Sequence, residues 1–200
     1  GHAGTWNDEL EPVLGDGRTS GDLIGGLRAA LPRDAIVVTD SGRHQNVVRR
    51  WYRVLAPRGL ILPTNLQSMG FAIPAAIGAR MAEPQRKVVA VVGDGGFLMS
   101  GLELLTARKH RVELTVIVIN DGSYGMIKRG QLAAHGAAPG SDLVVPDFAR
   151  FAAALDIHYV RLGQGDLAAQ FAEAVELPGV TLVEVPTKEQ AGMTVVRAKG

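Results

Sequence analysis

Short apolar segments that alternate with helical patterns constrain the fold of this chain most strongly. Six of them have the length and composition of strands, at residues 35–39, 60–62, 87–92, 113–119, 157–161 and 180–185. Helical patterns lie at residues 20–31, 70–81, 97–110 and 166–177, in the basic stretch after the first strand, and in segments that begin after Tyr124 and at Pro146. Strands joined through helices run parallel, with right-handed crossovers. The sequence therefore predicts an α/β fold, a doubly wound and mostly parallel six-stranded sheet with helices on both faces.

The chain length fits one such domain. Its 200 residues, 46% of them hydrophobic, are sufficient for one sizeable core but not for a second full domain. We assign this domain to residues 19–200. Residues 1–18 lack periodicity and open with Gly1-His2 instead of a methionine, so we interpret them as a tag remnant followed by a linker.

Charge and composition exclude several classes of function. The formal net charge is +1 and cysteine is absent, so we expect no nucleic acid, no anionic membrane and no cysteine-ligated zinc. The arginines clustered around Trp51 and Tyr52 are typical of a solvated face or a subunit interface. The longest apolar runs, such as residues 115–119, are too short to span a bilayer, and no signal peptide is visible. We expect a cytoplasmic protein that acts on small molecules.

A glycine-rich loop follows the strand at residues 87–92. It reads Gly93-Asp94-Gly95-Gly96, and ligands of parallel sheets bind at this end of the strands. Glycines permit close backbone approach, and a helix N-terminus offers free N–H groups to an anion. A dinucleotide fingerprint would need glycine in place of Leu98, and the Gly-Lys-Ser/Thr of a P-loop is absent. Taken alone, the loop also fits an ordinary strand-to-helix turn. The Asp94 carboxylate would repel a phosphate unless a cation lay between them, so Asp94 predicts a metal.

A second polar loop, Asn120-Asp121-Gly122-Ser123, ends the next strand along the chain. Neighbouring strands would direct Asp94 and Asp121 toward the same point. Carboxylate and carbonyl oxygens suit magnesium or calcium better than zinc or copper. The two loops together therefore predict a hard-cation site.

The spacing of these loops resembles the metal motif of thiamine diphosphate (ThDP) enzymes of the acetolactate synthase type. Gly93-Asp94-Gly95 is followed, after 24 residues, by Asn120-Asp121. The resemblance implies that Asp94, Asp121 and the Ser123 carbonyl bind Mg²⁺, and that Gly93, Gly95 and Gly96 lie against the cofactor diphosphate. Aspartate at position 121 departs from the commoner asparagine but is similar to catabolic acetolactate synthases.

Three further segments are similar to this family. Residues 40–45 resemble the loop that contacts the diphosphate, residues 67–79 the segment under the aminopyrimidine ring, and residues 124–127 the stretch after the metal loop. In the second segment the resemblance makes Met69 the wedge that bends the cofactor and the Gln67 carbonyl the acceptor for the 4′-amino group. The other residues that the resemblance implies as cofactor contacts are Ser41, Gly42, Arg43, His44, Tyr124, Gly125 and Met126.

Two departures from the family pattern bear on the reaction. Pyruvate decarboxylase-like members carry glutamate where Ile127 stands, so release of a simple aldehyde is disfavoured. Anabolic acetolactate synthases carry a tryptophan near Gly130, and its absence leaves the acceptor open. The resemblance thus implies a lyase or transferase that decarboxylates a 2-oxo acid and passes the acyl unit to an acceptor.

The glutamate that activates the cofactor in this family comes from a separate pyrimidine-binding domain, and no candidate for it is found here. Glu103 lies on the predicted helix after the metal loop, where we interpret it as structural. We therefore expect a pyrimidine-domain partner in a hetero-oligomer, such as a dimer of heterodimers. The chain is either an excised domain or the small subunit of a split enzyme, and we favour the subunit. The alternatives are the β subunit of a sulfopyruvate or phosphonopyruvate decarboxylase and a non-catalytic nucleotide-binding module.

Overall fold

Six parallel strands form the centre of the protein in the computed structural model, which describes residues 17–187. The strands are β1 (Ile36–Thr39), β2 (Leu60–Ile61), β3 (Val88–Gly93), β4 (Leu114–Asn120), β5 (His158–Arg161) and β6 (Val180–Pro186). Their order in the sheet is β2-β1-β3-β4-β6-β5, and every neighbouring pair is parallel. The predicted α/β sheet is confirmed. The interpretation of residues 1–18 as tag remnant and linker lies outside the described residues except for positions 17 and 18.

Eight helices connect and cover these strands within residues 17–187. They are α1 (Ser20–Ala30), α2 (Arg43–Trp51), α3 (Ala72–Ala82), α4 (Asp94–Ser100), α5 (Leu104–Lys109), α6 (Gly125–His135), α7 (Phe148–Ala154) and α8 (Leu167–Glu176). Helix α1 begins with a capping box, in which Thr19 and Asp22 each bond to the other's backbone N–H. In this part of the chain, no helix has the length and apolar character that a bilayer crossing requires.

Alternate residues of the central strands are buried in two separate cores. On β1, Ile36 and Val38 belong to the core that contains Phe97 and Phe148, whereas Val37 packs in the core beneath α1 and α8. Both faces of a parallel sheet are covered in this way, which is why its strands are apolar without alternation. With both faces covered, the carboxyl ends of the strands are where loops can form a ligand site.

Two predicted helices differ from those observed. The predicted helix at residues 97–110 starts three residues earlier and is broken by a 3-10 turn at Gly101–Glu103. Ser100 has φ −139° there, and a Cβ on Gly101 would lie 2.7 Å from the Phe97 ring, so close packing against Phe97 accompanies the break. The predicted helix at residues 70–81 starts at Ala72 because Gly70 has φ +73°, which is incompatible with a right-handed helix.

The strand order places a topological switch point between β1 and β3. The chain leaves β1 for the outer strand β2 and then returns to the other side of β1 as β3. Crevices outside the carboxyl ends of strands at such points are the usual ligand sites of open α/β sheets. The loops after Thr39 and Val92 flank this crevice, and the loop after β4 lies next to it.

We expect Phe97→Ala to lower the free energy of unfolding by about 3–5 kcal/mol, because the deleted ring leaves a cavity in the core. Phe97 is 1% exposed and makes edge-on contacts with Phe148 and Phe151, each at 5.3 Å between ring centres. Urea denaturation followed by circular dichroism measures the change. The neighbouring Leu98→Ala is the control, since Leu98 is 44% exposed and its loss should change stability by no more than about 0.5 kcal/mol. Equal effects of the two substitutions would contradict this account of the core.

Candidate functional site

A cavity of about 200 Å³ opens at the carboxyl ends of β1, β3 and β4. With the exception of Gln67, every residue that the sequence indicated for the site lines this cavity. These residues are Ser41, Gly42, Arg43, His44, Met69, Gly93, Asp94, Gly95, Gly96, Asp121, Ser123, Tyr124, Gly125 and Met126. The remaining lining comes from Ser20, Leu23, Val47, Ile119, Ile127 and Thr187. Segments that are far apart in the sequence thus converge on one space.

Gln67 is the one indicated residue that does not line the cavity. It is exposed, with φ +50°, and its backbone N–H donates to the Pro63 carbonyl at 2.9 Å. Met69, two positions further on, does line the cavity. The role implied for Gln67 concerns its carbonyl rather than its side chain, and it stays a prediction.

The Asp94 carboxylate is buried at the centre of the site and is held by two loops. It is 2% exposed. Its Oδ1 accepts the Gly95 N–H at 2.7 Å, and its Oδ2 accepts the N–H groups of Gly122 and Ser123 at 2.6 and 3.2 Å. This side chain therefore joins the glycine turn, which we define as residues 93–96 at the end of β3 and the start of α4, to the loop after β4.

Burial raises the pKa of Asp94 above its ordinary value. Hydrogen bonds from the N–H groups of Gly95, Gly122 and Ser123 and from the Asp121 side chain oppose that rise without cancelling it. Removing a carboxylate from water is costly unless a positive charge or sufficient donors offset the loss of hydration. The position is one in which a cation would be strongly favoured.

The oxygen ligands available to a metal beside Asp94 are few. Among residues 17–187, no three side chains of histidine, cysteine, aspartate or glutamate are grouped so as to hold a metal. Two carboxylates, Asp94 and Asp121, share the cavity with Ser123, whose carbonyl also accepts the Gly125 N–H at 2.8 Å. A cation here would need further oxygen ligands from a bound anion or water, which is common for Mg²⁺ and unsuitable for structural zinc.

The loop after β4 is held in place by a later segment of the chain. Tyr124 N–H donates to the Ser141 carbonyl, and Leu143 N–H donates to the Gly122 carbonyl, each at 2.8 Å. Ser123 and Asp142 form an isolated antiparallel bridge at the same place. Gly122 has φ +68°, so the turn favours glycine at this position. These bonds hold in place the loop that carries Asp121 beside Asp94.

Glycines in the turn after β3 allow side chains from other loops to approach the backbone. A Cβ on Gly95 would lie 2.6 Å from the Tyr124 ring and 3.2 Å from the Met69 methyl group. A Cβ on Gly93 would lie 3.1 Å from Nδ1 of His44. The turn therefore forms the floor of the cavity. The side chains of His44, Tyr124 and Met69 lie closer to it than a residue larger than glycine would permit.

Asp40 is a site residue that the sequence patterns did not single out. It is fully buried directly after β1, where its Oδ1 lies 2.6 Å from Nε2 of His44 and its Oδ2 accepts the Gly70 N–H at 2.8 Å. Polar residues at the ends of β3 and β4 were expected to face the ligand crevice, and the same rule applied to β1 would have found Asp40.

Glu184 is a second residue that was missed. It lies buried within the otherwise apolar strand β6, where it accepts hydrogen bonds from the Asn120 amide at 3.0 Å and from the Tyr159 hydroxyl, with Arg161 at 3.5 Å. Burial and the adjacent carboxylate raise the pKa of Tyr159, so the hydroxyl keeps its proton and stays a donor. The signal was a lone charge in an apolar strand. Its contact with Asn120 anchors the end of β4 from which the Asp121 loop departs.

Comparison with known families now identifies the domain. The family described as "Thiamine pyrophosphate enzyme, C-terminal TPP binding domain" matches the chain over residues 40–185. The chain belongs to this family. The match begins at Asp40 and includes both loops that meet at Asp94, so the cavity lies within the thiamine pyrophosphate (ThDP) binding domain.

Relatives of this ThDP-binding domain include acetolactate synthases. The acetolactate synthase large subunit of Lactococcus lactis subsp. lactis (strain IL1403) is 36% identical over 154 residues, 76% of this chain and 27% of that protein. The acetolactate synthase of Bacillus subtilis (strain 168) is 32% identical over 166 residues, 82% of this chain and 29% of that protein. The acetolactate synthase isozyme 1 large subunit of Escherichia coli (strain K12) is 31% identical over 166 residues, 82% and 30% respectively. The chain spans less than a third of the length of each of these relatives.

In this ThDP-binding domain, we expect Gly96→Ala to be destabilising by about 1–3 kcal/mol, because the added methyl group would overlap Oδ2 of the buried Asp40. Gly78→Ala is the matched control: Gly78 is also helical, but no atom lies within 4 Å of the position that a Cβ would occupy there. At position 78, alanine should raise stability by up to about 1 kcal/mol, through helix propensity. Urea denaturation of both variants measures the difference. Equal stability of the two would show that Asp40 does not contact the glycine turn.

Proposed function

We propose that this chain is the diphosphate- and magnesium-binding part of a ThDP-dependent enzyme that acts on 2-oxo acids. The observation that carries the proposal is the buried Asp94 carboxylate, which is joined to two loops and lies within hydrogen-bonding reach of the Asp121 side chain at a cavity lined by glycines. The reaction proposed is of the acetolactate synthase type, in which decarboxylation of a 2-oxo acid is followed by transfer of the acyl unit to an acceptor. The similarity to acetolactate synthases supports it.

The metal would be held by Asp94, Asp121 and the Ser123 carbonyl, with diphosphate oxygens and water as the remaining ligands. Mg²⁺ prefers six oxygen ligands and binds through one or two carboxylates together with phosphate groups. The two carboxylates among the cavity-lining side chains, those of Asp94 and Asp121, supply that number. Aspartate at 121, in place of the asparagine of other members, retains the oxygen ligand.

The remaining cavity residues would hold the cofactor on either side of the metal. Close backbone approach at the glycine turn, the cation of Arg43 and the imidazole of His44 suit a diphosphate. Met69 lies against Gly95 and would support a bent cofactor. The residues proposed as cofactor contacts are Ser41, Gly42, Arg43, His44, Gln67, Met69, Gly93, Gly95, Gly96, Tyr124, Gly125 and Met126.

ThDP, when bound, supplies the ylid and the electron sink for decarboxylation. The chain's own residues would bind and orient it and keep water from the reacting end. Ile119, Met126 and Ile127 make part of the cavity wall apolar. Since Ile127 has no proton to donate, the wall favours transfer of the acyl unit over release of an aldehyde.

A pyrimidine-binding partner would complete the site. Asp94 and Asp121 are the acidic residues among the cavity-lining side chains, and no glutamate lines it within residues 17–187. The activating glutamate would therefore come from another domain or subunit, and we favour a separate subunit in a hetero-oligomer. An exposed apolar face on α4, the 3-10 turn and α5 supports such a contact. It consists of Leu98, Met99, Leu102 and Leu105, which are between 44% and 66% exposed.

We expect Asp94→Asn to reduce the affinity for ThDP in the presence of Mg²⁺ by at least tenfold, because the amide cannot replace the charge that binds the cation. Isothermal titration calorimetry of the full chain with ThDP, with and without MgCl₂, measures the change. Asp34→Asn is the matched control, since Asp34 is exposed and precedes the opposite, amino end of β1. Magnesium-dependent binding that is equal in all three proteins would refute the metal site, and tight binding of a nucleotide instead of ThDP would refute the cofactor.

We expect Leu102→Asp to weaken assembly with the proposed pyrimidine-domain partner by at least tenfold, because a charge would be buried unpaired at the contact. Sedimentation velocity of equimolar mixtures measures the association, and assembly of the unaltered pair should restore turnover of a 2-oxo acid. Met81→Asp is the control, since Met81 is 56% exposed and lies at the end of α3, outside the set of residues that forms this face. Equal weakening by both substitutions would contradict the assigned face.

A further inference from the structure

Asp40 is a buried charge that the proposed cofactor contacts do not use. It is 0% exposed and occupies the first position after β1, at the switch point of the sheet. A buried carboxylate is retained at low cost only when each oxygen has donors. Both oxygens of Asp40 have one, and the two donors belong to different segments of the site.

The first oxygen orients an imidazole. Oδ1 of Asp40 lies 2.6 Å from Nε2 of His44, one turn along the same stretch of chain. Nδ1, the other ring nitrogen, then lies beside Gly42 and Gly93, at 2.7 and 3.1 Å from the positions that their Cβ atoms would occupy. The ring is thus wedged between two cavity-lining glycines, and the bond to Asp40 determines which nitrogen faces them.

The second oxygen fixes the peptide that carries Met69. Oδ2 of Asp40 accepts the Gly70 N–H at 2.8 Å, and Gly70 has φ +73°. This bond ends the loop before α3 in a conformation that directs the Met69 methyl group onto Gly95. The same carboxylate also packs against Gly96, so it cannot move away from either donor.

We propose that Asp40 is a positioning residue that couples the two ends of the cofactor site. One oxygen sets His44 for the diphosphate, and the other sets the Met69–Gly70 peptide for the aminopyrimidine ring. The inference deepens the proposed function and rests on it. It assigns to Asp40 a role that acts through His44 and Met69 and requires no contact between Asp40 and the cofactor.

Asp40 makes two bonds, which we call the His44 arm and the Gly70 arm. Two probes separate their effects: inorganic diphosphate and ThDP, each titrated calorimetrically with MgCl₂ present. Diphosphate reports on the His44 arm alone, whereas ThDP reports on both arms. We expect Asp40→Ala to weaken binding of either probe by about tenfold or more. In a His44→Ala background, Asp40→Ala should cause no further loss for diphosphate but should still weaken ThDP, because the Gly70 arm remains.

Asp40→Asn is the second variant, and it preserves size. Asparagine carries an NH2 group in place of one of the two acceptor oxygens, so one of the two bonds of Asp40 is lost and ThDP affinity should fall between those of Asp40→Ala and the unaltered chain. Asp34→Asn, outside the site, should bind both probes as the unaltered chain does, and thermal denaturation verifies that each variant is folded. Two results would overturn the role of Asp40 while leaving the proposed function intact. One is an equal further loss of affinity for both probes when Asp40→Ala is added to His44→Ala, and the other is unchanged ThDP affinity of Asp40→Asn. Failure of the unaltered chain to bind either probe would overturn the proposed function together with it.

Discussion

The burial of the Asp94 carboxylate is the constraint on which the rest of the site depends. A carboxylate removed from water requires N–H donors or a cation, and the donors here come from two loops. They can meet only if β3 and β4 are parallel neighbours that end at the same level. The observed register pairs Gly93 with Ile119, so β3 and β4 end side by side at the edge of the sheet. The burial of this one carboxylate therefore requires β3 and β4 to be neighbours and requires the glycine turn and the Asp121 loop to lie side by side.

Glycines convert this local arrangement into a cavity. Three positions of the turn after β3 are each approached by a side chain from a different residue: Gly93 by His44, Gly95 by Tyr124, and Gly96 by Asp40. A methyl group at any of these positions would displace its neighbour by at least a few tenths of an ångström. The turn thus combines an exposed backbone, which an anion can approach, with walls supplied by distant parts of the sequence.

The sheet and most of the cavity could be predicted from the sequence because their signals are local. Apolar runs of about five to seven residues predicted the main strands, and polar residues directly after β3 and β4 predicted the site. The 3-10 turn at Gly101 that separates α4 from α5 was not predicted. The helical pattern of the sequence is not weak there, and the turn accompanies tertiary packing of Gly101 against the Phe97 ring. Asp40 and Glu184 each had a local signal, but what they do could not be predicted, because their donors lie at positions 44, 70, 120 and 159 and such pairings emerge only when the chain is folded.

The cavity also explains why a partner and the cofactor would depend on each other under the proposed function. Its charged end, at Asp94 and Asp121, is complete within this chain, whereas Met126 and Ile127 are about half exposed at its rim. A ligand that spans both chains binds the assembled form more tightly than either part. By linkage, the same free energy must strengthen assembly when the cofactor is bound. Under this proposal the charged half of the site would bind its ligand weakly alone, and contact between the apolar rim and the proposed partner would strengthen that binding.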